Sequence, residues 1–196
     1  MKQSRGIAAS CGVALLTLGI AACAGSDKAP IAAVQQVDLS RYAGRWYVIG
    51  VIPTRFERDG YNSVETYTLD KDGHMCTWFH LRQGGFDGPV KTLRSVGYPD
   101  SASGNAVWSV HLYGLLRLQY KIAWLADDYS RVIVARDKRD YVWIMARMPK
   151  IADADYAAMV DRVNGMGYDI SKLRRVPQQW PEPPTAPKLS ESNPCD

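Results

Sequence analysis

Four cysteines and three histidines are the residues of this chain best suited to nucleophilic, redox or metal chemistry. Their positions narrow that chemistry quickly. His74, His80 and His111 are dispersed, and no CxxC, HExxH or EF-hand spacing is present, so no metal-ligand set is expected. Cys11 falls inside an N-terminal segment with a basic start (Lys2, Arg5), an apolar stretch over 7–20 and small residues at Ala21 and Ala22. That is the layout of a secretory signal peptide, which would take 1–22 away on export. Cys23 stands at the cut. Cys76 and Cys195 remain in the exported body, and in an oxidising compartment two spare cysteines can pair. Sequence separation alone leaves that disulfide open. Cys76 is also the thiol of the body that could attack a substrate. In 74–82, however, Met75, Thr77, Phe79 and Leu81 alternate with His74, Cys76, His80 and Arg82, which turns Cys76 away from the apolar face. No catalytic residue is assigned, no cofactor is expected, and the chain reads as a non-enzyme.

The run Leu18-Gly19-Ile20-Ala21-Ala22-Cys23 resembles the lipobox of bacterial lipoproteins. The resemblance implies that Cys23 is the lipidation site, its thiol acylated with palmitate-like chains and its amino group the new N-terminus. Each buried CH₂ contributes about 0.8 kcal/mol, so one acyl chain holds weakly and several hold firmly. The apolar run falls short of the roughly 20 residues that span a bilayer. Ala24 follows Cys23 where lipoproteins kept at the inner membrane tend to carry Asp. The expected address is therefore the cell outer membrane, on its periplasmic face. Residues 23–36 read as lipidated N-terminus and tether, 37–176 as one domain and 177–196 as a proline-rich tail. The formal charge of +4 includes Lys2 and Arg5, so the exported chain is only weakly basic. Its densest basic group, Arg136, Lys138 and Arg139, is interleaved with Asp137 and Asp140, and nucleic acid is not an expected partner.

The elements that must position any site are β-rich. Short runs at 46–53, 61–70, 74–82, 90–98, 105–113, 119–126, 131–136 and 140–147 are separated by turn signals such as Lys71-Asp72-Gly73 and Ala126-Asp127-Asp128. Eight strands without intervening helices indicate an antiparallel sandwich or barrel. The spacing of Tyr156, Met159, Val160 and Val163 predicts one helix over 151–165, packed outside, and 172–176 reads as a short last strand. Alternation groups Trp108 with Val110, groups Tyr120 with Ile122 and Trp124, and groups Tyr141 with Trp143 and Met145. Glu65 shares a side with Tyr67. Such inward faces suit a filled core or a lined cavity, and an eight-stranded barrel is just wide enough for one small ligand.

Gly44-Arg45-Trp46-Tyr47 after a short N-terminal turn, Arg139-Asp140-Tyr141-Val142-Trp143-Ile144 opening the last long strand, Arg147 beyond it and Gly167-Tyr168-Asp169-Ile170 after the helix resemble the lipocalins. Among these they are most like the bacterial outer-membrane lipoprotein lipocalins, relatives of apolipoprotein D. The resemblance runs over about 34–180 and implies an all-β fold: an eight-stranded antiparallel up-and-down barrel with a C-terminal α-helix outside and a short final strand. It implies that Gly44, Trp46, Asp140 and Arg147 are structural motif residues, with the Arg147 guanidinium over the Trp46 ring. It also implies a carrier of fatty acids or lysophospholipids, active in lipid storage, transport or membrane maintenance. Its partners would be that lipid and, through the anchor, the membrane, with a homodimer as one assembly. From the inward faces the ligand-binding residues are expected to be Trp143, Tyr141, Met145, Trp108, Val110, Tyr120, Ile122 and Phe79. Arg117, in a loop expected over 113–119, is expected to meet an anionic headgroup. A lipocalin-fold enzyme and an interaction lipoprotein with a filled barrel are the alternatives.

Overall fold

The alternating runs become eight antiparallel strands: β1 (Gly44–Ile52), β2 (Gly60–Leu69), β3 (Met75–Gln83), β4 (Val90–Pro99), β5 (Val107–Leu112), β6 (Leu116–Leu125), β7 (Arg131–Ala135) and β8 (Val142–Ala146). The computed structural model describes residues 28–182 and Cys195, so the expected signal peptide, 1–22, and Cys23 lie outside the described residues. Successive strands pair in order, and β1 closes the barrel on β8 through Tyr47↔Ala146 to Ile52↔Val142 and on β2 through Gly44↔Tyr67 to Tyr47↔Val64. Beyond Val64 strands β1 and β2 part. A ninth strand, β9 (Arg174–Arg175), takes the open edge of β1 at Gly50 and Val51. Gln178 bridges the split, its Nε2 donating to Val48 O at 2.8 Å and Ser63 O at 3.0 Å.

One end of the barrel is shut by α1 (Leu39–Tyr42), whose first turn is capped by the Asp38 carboxylate accepting from Ser40 and Arg41 N–H. Trp46 Nε1 donates to Tyr42 O at 2.8 Å. The Arg147 guanidinium lies 3.9 Å from a Trp46 ring centroid and donates to the carbonyls of Arg41, Tyr42 and Arg45. Gly44 sits at φ +96, and a Cβ there would stand 3.3 Å from Arg147 Nη1. Gly44, Trp46 and Arg147 thus meet in one clamp at the closed end. Asp140 is at the opposite, open end, in a 2.8 Å ion pair with Arg136.

The helix α2 (Asp153–Gly165) packs outside, burying Met159 and Val163 with Ile49, Ile133 and Ile144 in a second apolar cluster. Trp124 belongs to this outer cluster, beneath Arg162, rather than inside with Tyr120. The reason is a register shift between Ile122 and Trp124, which reverses the face of everything after it.

The described residues of the tether, 28–36, and of the tail, 177–182 and Cys195, are held in place. In the stretch read as tether, Lys121 Nζ donates to Ile31 O, Ile31 N–H donates to Asp137 Oδ1, and Val34 N–H donates to Ile122 O. The apolar side chains of Ile31, Ala33 and Val34 pack with the barrel. In the proline-rich tail, Asn62 N–H donates to Pro177 O at 2.9 Å, and Glu182 pairs with the fully buried Arg82 at 2.6 Å. Cys76 and Cys195 are joined in a disulfide, with Cα atoms 5.2 Å apart.

Candidate binding cavity

The open half of the barrel encloses a cavity of about 470 Å³. Six of the side chains expected to contact ligand line it: Trp143, Tyr141, Trp108, Val110, Tyr120 and Phe79. Trp108 and Tyr120 stack with centroids 4.6 Å apart, and Tyr141 and Trp143 lie at 4.7 Å. Leu112, Leu116 and Leu118 extend the apolar wall towards the mouth. The lower wall is tied by hydroxyls: Tyr42 to Tyr120 at 2.6 Å and Tyr67 to Tyr120 at 2.8 Å. Burial pushes the Tyr120 and Tyr42 hydroxyls far up, so both stay neutral.

Met145 and Ile122 do not line the cavity. Both point inward but sit towards the closed end, fully buried in the packed lower core. Alternation assigns a face and says nothing of depth along the strand. Arg117 is also displaced from its expected role. The turn after β5 is only Tyr113–Leu115, with Tyr113 and Gly114 at left-handed φ of 53 and 70. Strand β6 therefore starts at Leu116, and Arg117 pairs across with His111 on the outer face while Leu116 and Leu118 face the ligand space.

The charged groups of the cavity, Arg55, Glu57, Glu65, Arg136 and Asp140, are not among the expected ligand contacts. The loop after β1 folds over the mouth, bringing Arg55, Phe56 and Glu57 to it, and Arg136 and Asp140 come from the turn before β8. Glu57 closes a Thr-x-x-Glu turn, the spacing of a capping box. Its Oε2 accepts from Thr54 N–H at 2.9 Å and Thr54 Oγ1 at 2.7 Å, and its Oε1 accepts from Trp143 Nε1 at 2.7 Å. Burial still raises its carboxyl above the ordinary range, opposed by those donors and by Arg174. Glu65 stands deeper on β2, and burial, with the nearby Glu57 charge, pushes it up to about 8. Cys76 is absent from the cavity wall and engaged with Cys195.

A closed antiparallel barrel with one plugged end, an external helix and an apolar cup defines a class of small-molecule binding proteins. Residues 37–178 match the family model described as Lipocalin-like domain, and the chain belongs to that family. Temperature-induced lipocalin-1 of Arabidopsis thaliana is 31% identical over 180 residues, covering 85% of this chain and 94% of the relative. Outer membrane lipoprotein Blc of Escherichia coli K12 is 29% identical over 151 residues, covering 76% and 83%. Apolipoprotein D of Mus musculus is 26% identical over 162 residues, covering 77% and 82%. The solved structure of apocrustacyanin C2 superposes with a TM-score of 0.59 at 13% identity, over 73% of this chain and 81% of the other, a likeness of fold. Family and cavity together support the binding of a lipid or other small molecule.

Proposed function

We propose that this protein is a lipid-anchored carrier of amphipathic lipids, fatty acids or lysophospholipids, at the periplasmic face of the outer membrane. The observation that carries this reading is the cup itself: an aromatic and aliphatic wall open at one end, with Arg55 and Arg136 at the rim. Burying an acyl chain along such a wall gains about 0.8 kcal/mol per CH₂. A rim guanidinium suits a carboxylate or phosphate head better than an ammonium would, because its fork can donate twice to one group. Relatives named outer membrane lipoprotein and the lipobox-like run ending at Cys23 support the address. The catalytic alternative loses its candidate nucleophile, since the Cys76 sulfur is bonded to Cys195. The filled-barrel alternative is opposed by the cavity volume.

Native mass spectrometry of the purified chain, before and after delipidation, tests the reading. A fatty acid or lysophospholipid should add at one per barrel and change tryptophan fluorescence, because Trp108 and Trp143 both face the ligand space. Saturating lipid with no change in mass or fluorescence would leave the barrel without a carrier role.

A further inference from the structure

Glu65 is a cavity acid with no partner among the described residues. It is 7% exposed and lines the cup. It lies opposite Trp46 on β1 and Phe79 on β3, on the side of the closed end. Among the described residues no hydrogen-bond donor and no cation holds it, whereas Glu57 accepts from Thr54 and from Trp143. The neighbouring hydroxyls of Tyr42, Tyr67 and Tyr120 bond to one another. A buried polar group left unpaired costs stability, and nearly all such groups in folded proteins are satisfied. A hydrocarbon tail ending in methyl would strip water from this carboxyl and return nothing. An anionic end would meet the Glu65 carboxyl with no cation to offset it.

We propose that the cup takes an amphiphile with polar groups at both ends: a head held at the rim by Arg55 and Arg136, and a buried end bearing a hydroxyl or amine that donates to the Glu65 carboxyl. This rests on the carrier reading above and names the class of lipid within it. The shared chemistry is an O–H or N–H donor at the far end of an apolar body. A hydroxyl can bond to Glu65 in either protonation state. An amine would draw the acid into its ionised form and pair with it.

The test compares straight-chain fatty acids with their ω-hydroxy and ω-amino counterparts of equal length, bound to the full-length mature chain and followed by tryptophan fluorescence. The wild type should prefer an ω-donor to a methyl end by about tenfold. Glu65→Met should reverse the order, because a hydroxyl or amine then enters an apolar pocket. Glu65→Gln should keep the hydroxyl preference and lose the amine preference, and it serves if the Met variant fails to fold. The inference is overturned if the wild type binds methyl-ended chains as tightly as ω-donor chains, or if wild type and Glu65→Met rank the three series alike. If no chain of any series binds the wild type, the carrier reading falls and this inference falls with it.

Discussion

Glu57 and Glu65 line the same cavity and differ in what surrounds them. Glu57 is received by Thr54 and Trp143, and Glu65 is set against aromatic rings. The folded chain therefore holds the Glu65 proton up to about pH 8, against an ordinary value of 4.5. Because the folded value is raised, the stability linked to that proton is complete below the ordinary carboxylate value and is lost as pH climbs through about 8. Glu65→Gln removes the titration. The variant should gain on the wild type across this window, by an amount on the order of a few kcal/mol. Denaturant melts of both proteins at a series of pH values measure it; a stability difference that stays constant with pH would mean that Glu65 is not held as a buried neutral acid. At this scale much of the cup was legible. Period-two alternation turns Trp143, Tyr120 and Phe79 inward, and it places Glu65 beside Tyr67 as well. What it does not carry is height along the barrel axis, which is why Met145 and Ile122 look like wall residues and are floor. A lone acid among inward aromatics was the available sign of the polar end of the site.

Elements were readable where the local pattern decides them and obscure where a distant partner does. The eight strands, the amphipathic helix and the Trp46–Arg147 clamp follow from alternation, helical spacing and motif. The start of β6 depended on two left-handed residues, Tyr113 and Gly114, of which only the glycine signals that conformation. The tail from Pro177 has few apolar residues and many prolines, so it reads as irregular. Its described residues, 177–182 and Cys195, are held by groups far away in sequence: Asn62, Arg82 and Cys76. The disulfide closes a separation of 119 residues, and a cross-link over so long a loop restricts the unfolded chain strongly. Cys195→Ser should cost about 2–4 kcal/mol in oxidising buffer, and reductant should lower the wild type towards the variant. Equal thermal midpoints for wild type and variant, with or without reductant, would mean that the tail contributes no stability through Cys76.

For the whole molecule, if Cys23 carries the proposed lipid, the decisive quantity is the distance between that anchor and the mouth. The stretch read as a tether is fastened from Lys28 onward: Lys28 Nζ donates to Gly167 O at 2.6 Å and Arg139 Nη2 donates to Ala29 O at 2.8 Å. Arg139 belongs to the turn between β7 and β8, at the open end of the barrel. Only 24–27 then separate a lipidated Cys23 from the fixed chain. Fully extended, that connection reaches about 17 Å. An anchor so short, attached on the mouth side, would hold the cup with its opening close to the leaflet. The β5–β6 hairpin tip suits that placement, since Tyr113 and Leu115 are 64% and 90% exposed at the mouth. Exposed apolar side chains beside an apolar cavity favour contact with a bilayer over contact with water. Inserting a flexible Gly/Ser segment between Cys23 and Lys28 should therefore slow lipid transfer between the membrane and the cup severalfold, since effective concentration falls as a linker lengthens beyond its span. Affinity for lipid in solution should be unchanged. Leu115→Asp should slow transfer in the same assay, again without changing the solution affinity. Transfer from vesicles by the lipidated protein, measured beside binding of free lipid, separates these effects. If the long-tethered protein loads as fast as the wild type, the closeness of mouth to membrane has no part in its work.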